Sequence, residues 1–248
     1  FKQKTAYEIP KRDWSSDVCS SDLLKMEKLY IFGAGEFAQI AWSYFLREAK
    51  YEMCGFILDD NFTIPQNDFF SDKTIFRFSE VSDSITAYGT RVFVAISASQ
   101  MNMARTVVFR RLEALGCNFA SYVSPFAFIS FDITLGSNVF IFEHNVIQNG
   151  VRIGDNTVLW SGNHIGHQSH IGSNVFISSH VVVSGFCKVG DFSYLGVNST
   201  VVDHINIADR TLIGAGSLVL KDTQADSVYF GSPAKRIEGK SPSEVIFR

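Results

Sequence analysis

Six histidines carry the side chains best suited to acid–base chemistry in this 248-residue chain, and all lie between residues 144 and 204. They are His144, His164, His167, His170, His180 and His204. A neutral imidazole, with an unperturbed pKa of about 6.5, can accept a proton from an amine or hydroxyl near neutral pH. Three converging ligands could instead hold a catalytic zinc ion. Which chemistry is open to these histidines depends on the elements that position them.

The segment that contains the histidines repeats every six residues. A period of six fits neither the 3.6-residue turn of a helix nor the two-residue alternation of a single strand, and it predicts a solenoid of hexapeptide rungs, a parallel β-helix. A β-sandwich would need hairpin turns of varying length. The repeat is marked by an aliphatic residue at seventeen successive positions: Val123, Ile129, Leu135, Ile141, Ile147, Ile153, Leu159, Ile165, Ile171, Ile177, Val183, Val189, Leu195, Val201, Ile207, Ile213 and Val219.

Three hexapeptides make one triangular coil of 18 residues, so that residues 18 apart stack in one column. The residue four after each aliphatic is mostly small or β-branched, which allows both positions to point inward. Glycine often follows the aliphatic residue, and Asn or Asp often occupies the next places. These residue types suit corners that need positive φ. The run gives between five and six coils. In this register Gly185 lies one coil above His167, while His144 and His180 share a column two coils apart.

The residues before the repeat predict a small parallel, Rossmann-like α/β domain. A buried strand after Met26 leads through Gly33 and Gly35 into an amphipathic helix, and a second strand ends at Asp59 and Asp60. Such a βαβ unit can present the free N–H groups of the helix N-terminus to a phosphate. The acidic pair stands where a ribose or base is usually bound.

A third strand at residues 91–97 and a helix over residues 100–115 complete this α/β domain. Residues 61–90 are poorly periodic, with a short strand and turn possible at 74–81. We therefore expect an α/β domain over 26–120, a β-helix over 121–221 and a C-terminal extension over 222–248. Residues 1–25 have neither periodicity nor a helix-capping signal and resemble translated adaptor sequence. We expect them to be a non-native or disordered tail.

Composition narrows the class of protein. A hydrophobic content of 46% allows a sizeable core, and the formal net charge of −3 argues against nucleic acid as a partner. No apolar run approaches the roughly 20 residues of a membrane span, and no signal peptide is visible. We expect a cytoplasmic protein. The four cysteines lack ligand-like spacing, which favours reduced thiols, with Cys187 in the solenoid core.

The motifs in their order resemble the sugar acyltransferases of the hexapeptide-repeat superfamily, including sialic acid O-acetyltransferases and bacillosamine-pathway N-acetyltransferases. The resemblance covers residues 26–237 and rests on GxGxxA, Asp-Asp, HIGHQSHIG, YLGVNST, IGAGSLVLKD and GSPAKRI. It implies a left-handed β-helix and a homotrimer with acetyl-CoA or another acyl-CoA in the grooves between the subunits. The N-terminal domain would then hold a nucleotide-activated sugar in bacterial surface polysaccharide biosynthesis.

By the same resemblance, His167 is the general base and Gly185 supplies the N–H that binds the oxyanion. The acceptor-binding positions are Gly33, Gly35, Glu36, Phe37, Asp59, Asp60, Ser97 and His164, and the CoA-binding positions are Phe176, Val197 and Ala215. No metal is expected. The chain departs from the family at two positions. In the family a glutamate follows the base, where this chain has Gln168, and a histidine contacts CoA, where this chain has Phe176. A neutral amide cannot raise the pKa of the imidazole by its charge.

Two other classes stay open. A zinc hydratase similar to the γ-type carbonic anhydrases would use His144 and His180 as two ligands, although residues 181–188 contain no histidine for the third. A sugar-binding or assembly protein without catalysis would keep the solenoid and lose the chemistry.

Overall fold

The computed structural model describes residues 26–65 and 68–245. The predicted tail at 1–25, which includes Cys19, lies outside the described residues, as do residues 246–248 of the predicted extension. A parallel α/β domain is followed by a left-handed parallel β-helix, as the sequence predicts. The three described cysteines, Cys54, Cys117 and Cys187, are free thiols, and Cys187 lies in the β-helix core.

The α/β domain is built on one four-stranded parallel sheet. Its strands are β1 (Glu27–Phe32), β2 (Tyr51–Leu58), β3 (Ile75–Arg77) and β4 (Thr90–Val94), in the order β3-β2-β1-β4. Its helices are α1 (Glu36–Glu48), α2 (Phe78–Ile85) and α3 (Met103–Ala114), and a short 3₁₀ helix spans Asp68–Phe70. Helix α3 begins later than predicted because Gln100, Met101 and Asn102 all have positive φ. The segment 74–81 contains β3 and the first turn of α2.

The β-helix has three flat faces, each a parallel sheet made mainly of two-residue strands. We call the face that packs against the α/β domain the docking face, the face with exposed apolar side chains the open face, and the face with mostly polar outward side chains the polar face. The docking face carries Tyr122–Val123, Phe140–Ile141, Val158–Leu159, Phe176–Ile177, Tyr194–Leu195, Leu212–Ile213, Val228–Phe230 and an antiparallel Lys235–Arg236. The open face carries Phe128–Ile129, Val146–Ile147, His164–Ile165, Val182–Val183, Thr200–Val201 and Leu218–Val219. The polar face carries Thr134–Leu135, Arg152–Ile153, His170–Ile171, Lys188–Val189 and Asn206–Ile207. A final 3₁₀ helix spans Pro242–Glu244.

The predicted 18-residue register is confirmed along the solenoid. Phe140 pairs with Val158, and Val158 pairs with Phe176, as each strand stacks on its equivalent one coil away. Each of the seventeen aliphatics is the second residue of a strand, and from Ile141 onward every one is buried. The residues four places later are buried as well, so both positions fill the core.

The corners differ from the prediction in where positive φ falls. It occurs at the third residue after the aliphatic, as at Asn156, Gln168 and Phe186, and not at the glycine that follows the aliphatic directly. That glycine serves a different purpose, because the next coil passes close above it. A Cβ on Gly196, for example, would lie 2.5 Å from the backbone nitrogen of Ala215.

The docking face packs against the α/β domain because its outward side chains are apolar too. Phe140 is fully buried, with its ring 5.6 Å from Phe37 of α1 and 5.4 Å from Phe93 of β4. Tyr122 lies 5.5 Å from Phe45 in the same cluster. This second apolar column, with an 18-residue period, joins the two domains into one hydrophobic core.

A ladder of buried asparagines holds α3 against the corner between the polar and docking faces. The backbone N–H of Val94 donates to Asn138 Oδ1 at 2.7 Å. Arg105 Nη2 donates to the backbone oxygen of Asn156 at 2.9 Å, and Thr106 Oγ1 donates to Asn174 Oδ1 at 2.9 Å. Arg105 is fully buried, and burial lowers the pKa of its guanidinium to about 9. These contacts set where the α/β domain sits on the solenoid.

Candidate functional site

A cavity of about 860 Å³ opens at the carboxyl ends of β1, β2 and β4, the edge at which parallel α/β sheets bind ligands. Its size falls within the range of small-molecule sites. The α/β domain contributes most of the wall, and the docking face closes the far side. The lining residues are Phe32, Gly33, Ala34, Gly35, Glu36, Phe37, Ile40, Leu58, Asp59, Phe62, Thr63, Pro65, Ala95, Ile96, Ser97, Ala98, Ser99, Ala104, Val107, Val108, Trp160 and Phe176.

Six of the eight predicted acceptor-binding residues line this cavity: Gly33, Gly35, Glu36, Phe37, Asp59 and Ser97. Gly33 has a φ of +122°, and a Cβ there would lie 2.7 Å from the carbonyl oxygen of Ala95, so both backbone and packing require glycine. Gly35 caps the first turn of α1, and the space where its Cβ would stand is open. The turn therefore leaves the helix N-terminus accessible from the cavity.

The structure places the two aspartates predicted for the site in different surroundings. Asp59 lines the cavity, and its Oδ1 accepts a hydrogen bond of 2.6 Å from Arg111 Nη2. Asp60 does not line it. Its carboxylate accepts from Ser79 Oγ at 2.6 Å, and this hydrogen bond holds the pKa of Asp60 below its ordinary value. Asp60 therefore tethers the start of α2, and the structure does not bring its carboxylate to the cavity beside that of Asp59.

Two aromatic rings on the β-helix complete the cavity wall. Phe176, which the resemblance assigns to the CoA site, stacks on Tyr194 at 5.2 Å and faces this cavity. Trp160 stacks on Phe142 at 4.5 Å, and among the described residues its buried Nε1 has no hydrogen-bond acceptor. Its N–H can therefore donate to a bound ligand. We did not predict Trp160, whose only sequence signal is an indole where many repeats carry glycine.

His167 lies on the corner between the open and polar faces, with an exposed side chain. Its backbone N–H donates to Gln148 Oε1 at 2.9 Å, and its ring Nδ1 lies 3.2 Å from the same oxygen. Gln148 is one coil below and was not predicted. Gln168, which stands where the family carries a glutamate, has a φ of +58° and lies over Gly150.

The imidazole of His167 packs directly against Gly185 of the next coil. A Cβ on Gly185 would stand 2.7 Å from His167 Cε1 and 2.9 Å from Nε2, so the ring occupies the space that the missing side chain leaves. Among the described residues, no acceptor pairs with the Gly185 N–H. The predicted base and the predicted oxyanion donor are therefore neighbours.

Aromatic rings border the outer side of this corner. The ring of Phe186 meets His167 edge-on at 5.0 Å, and His204 stacks on Phe186 at 4.9 Å with nearly parallel planes. Phe186 remains about half exposed. Phe186 is therefore an apolar neighbour of His167, and its stacking on His204 restricts the rotation of the Phe186 ring.

The remaining predicted positions lie on other parts of the solenoid. Val197 and Ala215 stand one coil apart and exposed on the corner between the docking and open faces. His164, half-buried, lies on the open face between Val146 and Val182. None of these three lines the cavity.

Within residues 26–65 and 68–245, no group of three or more His, Cys, Asp or Glu side chains is placed to hold a metal ion. No described helix has the length and apolar character needed to cross a membrane.

The cavity and His167 lie on opposite sides of the solenoid. The cavity abuts the docking face through Trp160 and Phe176, whereas His167 stands at the corner between the other two faces. In a triangular coil, that corner is the vertex opposite the docking face. A ligand in the cavity therefore cannot reach His167 of the same chain without passing around or through the solenoid.

Comparisons with known proteins agree with this architecture. Residues 152–185 match the model of the bacterial transferase hexapeptide family, six repeats. A variant of perosamine N-acetyltransferase from Caulobacter crescentus, solved with CoA and GDP-perosamine, superposes with a TM-score of 0.75 at 22% identity, covering 86% of this chain and 98% of that one. The acetyltransferase domain of PglB from Neisseria gonorrhoeae, solved with acetyl coenzyme A, gives 0.75 at 19% identity, with coverages of 86% and 100%. WeeI from Acinetobacter baumannii gives 0.74 at 17%, with coverages of 85% and 99%. At these identities the likeness establishes a shared fold.

Proposed function

We propose that this protein is an acyltransferase that moves an acyl group, most simply acetyl, from acyl-CoA to an amino or hydroxyl group of a nucleotide-activated sugar. The observation that carries the proposal is the packing of the His167 imidazole against Gly185, which brings a ring nitrogen beside a residue whose backbone N–H has no acceptor among the described residues. The similar structures solved with CoA, acetyl coenzyme A and GDP-perosamine support the same reaction class.

The chemistry follows from the two groups at the corner. His167 Nε2 removes a proton from the acceptor as its nitrogen or oxygen attacks the thioester carbonyl. The Gly185 N–H donates to the oxyanion that forms. When the tetrahedral intermediate collapses, the carbon–sulfur bond breaks, and the imidazolium returns its proton to the leaving CoA thiolate. One acyl–nitrogen or acyl–oxygen bond replaces one thioester.

Residues on the cavity edge are assigned to the acceptor. The accessible N-terminus of α1 at Gly35 suits the diphosphate of a nucleotide sugar, since free N–H groups and the helix dipole attract anions. Glu36 would turn its carboxylate away from that diphosphate or towards a sugar hydroxyl. Trp160 Nε1 would donate to the sugar or nucleotide.

We further propose that the active site forms between subunits of a homotrimer. The cavity and His167 of one chain face opposite directions, so an acceptor in one subunit would meet His167 of a neighbour. The open face supports such an assembly, because its outward residues Phe128, Val146 and Val182 are apolar and 63%, 37% and 36% exposed. Val197 and Ala215 at its edge would contact CoA in the groove between subunits. We place the enzyme in the cytoplasm, where acyl-CoA and nucleotide sugars are made.

The test is an acyl-transfer screen with UDP-, dTDP-, GDP- and CMP-activated sugars and acetyl-CoA, read by free thiol release and by the mass of the product. We expect turnover with at least one sugar, and a loss of about 10²- to 10⁴-fold in the His167→Ala variant. The proposal fails if folded protein acylates none of them, or if His167→Ala leaves the rate unchanged.

Assembly is tested separately by sedimentation of wild type and Val182→Asp. A charge on an exposed apolar face should break the contact between subunits and leave folded monomers. A monomeric wild type, or a Val182→Asp protein that still sediments as a trimer, would refute this part of the proposal. Zinc analysis of the same sample distinguishes the hydratase alternative, which requires stoichiometric metal.

A further inference from the structure

We propose that Gln148 is the positioning residue of His167, and that it fixes the imidazole in the tautomer whose proton is on Nδ1. The inference rests on the proposed function for its catalytic consequence. Its starting point is that one atom, Gln148 Oε1, faces two nitrogens of the same residue: the backbone nitrogen of His167 at 2.9 Å and the ring Nδ1 at 3.2 Å.

The backbone contact decides which end of the amide is present. A backbone N–H is always a donor, so the Gln148 atom that meets it must be the carbonyl oxygen and not the NH₂ group. That oxygen has two lone pairs and can accept from a second donor. The Nδ1 atom facing it must therefore carry a proton if the contact is to be favourable.

A neutral imidazole carries one proton, so Nδ1–H leaves Nε2 with a free lone pair. Nε2 is also one of the three ring atoms nearest Gly185: it lies 2.9 Å from the place where a Cβ would stand, compared with 2.7 Å for Cε1 and 3.2 Å for Nδ1. The lone pair that would take the proton from the attacking group therefore lies beside Gly185, the residue whose N–H is assigned to the oxyanion. The opposite tautomer would put a proton on Nε2 and leave two acceptors, Nδ1 and Oε1, facing each other.

Gln148 can reach His167 because the residue stacked on it in the next coil is a glycine. Gly166 follows it by 18 residues and has no side chain, so the amide can extend past Gly166 to the next residue, His167. The strand that ends at Ile147 holds the base of Gln148, whose own N–H donates to the carbonyl of Ile165 at 3.0 Å. Gln148 is thus anchored at its backbone and aimed at the ring.

An amide does this work differently from a carboxylate. Both can hold Nδ1–H, but only a carboxylate also stabilises the imidazolium by charge and so raises the pKa of the base. Gln148 therefore supplies orientation and a tautomer but no charge. It touches neither the acceptor nor the acyl carbon in this scheme, and it acts through His167 alone.

Nuclear magnetic resonance of the ligand-free protein tests the tautomer directly. Protein labelled with ¹⁵N-histidine is measured by long-range ¹H–¹⁵N correlation, with the His167 signals identified by their absence in His167→Ala. We expect a protonated Nδ1 in wild type and a shift towards Nε2–H in Gln148→Ala. A wild-type ring protonated on Nε2, or a Gln148→Ala ring unchanged from wild type, would overturn the inference.

Kinetics of three variants test the consequence. Gln148→Ala should lower kcat by about 10-fold or more with little change in KM, because the base spends less time in its active form. Gln148→Glu should retain Nδ1–H and activity, and it should shift the acidic limb of the kcat/KM pH profile to higher pH. Gln168→Asn, the control beside the base, should match wild type in rate and spectrum. An unmoved pH profile in Gln148→Glu would overturn the inference.

The two readouts separate failure of this inference from failure of the proposed function. The spectra are recorded without substrate and depend only on the contact between Gln148 and His167. If the spectra behave as expected and no nucleotide sugar is acylated, the proposed function fails and the tautomer assignment stands. If turnover depends on His167 but Gln148→Ala matches wild type in kcat, the positioning role fails and the proposed function stands.

Discussion

Replacing Gly185 by alanine is the sharpest test of the geometry at the corner. The φ of Gly185 lies outside the left-handed range, so the backbone accepts alanine. The new Cβ would stand 2.7 Å from Cε1 of His167, whereas non-bonded carbons prefer about 3.5–4.0 Å. The imidazole must therefore move by about 1 Å, because a side-chain ring yields more easily than the stacked backbone.

A displacement of that size is expected to lower kcat/KM about 100-fold, which corresponds to about 2.7 kcal/mol of transition-state stabilisation. The assay is acyl transfer to the best acceptor from the nucleotide-sugar screen, with thermal unfolding measured on the same samples. The variant keeps the backbone N–H at residue 185, so the change tests the position of the ring and leaves the oxyanion donor in place.

A double-mutant cycle shows whether the steric reasoning is right. In a His167→Ala background the Cβ of residue 185 has no ring to displace, so Gly185→Ala should cause no further loss. Two results would refute the reasoning: wild-type kcat/KM in folded Gly185→Ala, or an equal loss in both backgrounds. The second would mean that residue 185 acts independently of the imidazole.

Three further predictions concern stability. Gly33→Ala should cost about 1–3 kcal/mol in chemical denaturation, since a φ of +122° and a Cβ 2.7 Å from a carbonyl oxygen both oppose it; an unchanged midpoint would contradict this. Tyr44→Phe should cost about 1–2 kcal/mol by the same measurement, because the Tyr44 hydroxyl donates to Glu143 Oε2 at 2.9 Å across the domain junction; a neutral change would show that water replaces the bond. The hydrogen bond and charge of Arg91 lower the pKa of Glu27. The pair therefore stabilises the protein at pH values above the ordinary pKa of a carboxyl group, and this stabilisation is lost as the pH falls through the lowered pKa. Arg91→Met should therefore flatten the decline of Tm below about pH 5, and an unchanged slope would refute the assignment.

The periodic parts of the molecule were predictable because their signal is local and repeated. One aliphatic residue every six positions is enough to predict the rungs and the 18-residue coil, and the coil places His167 beneath Gly185 with no knowledge of other contacts. The βαβ unit was likewise readable from Gly33 and Gly35. In both cases backbone geometry follows from residue type at fixed spacing.

The separation of Asp59 from Asp60 could not be predicted in this way. Adjacent residues at a strand end point in different directions, and which carboxylate faces the cavity depends on where Arg111 and Ser79 lie. Those partners are 52 and 19 residues away in sequence, and only the packing of α2 and α3 brings them close.

The sequence alone specifies a solenoid, its register and the column that contains the base, since stacking at a constant period needs only residue type. The tertiary structure is needed for the lateral contacts: the amide of Gln148 reaching diagonally to His167, the indole of Trp160 closing the cavity, and the placement of that cavity opposite the base. These depend on side-chain directions and on the docking of two domains. No period along the chain encodes them, because the contacts join columns and elements that are unrelated in sequence.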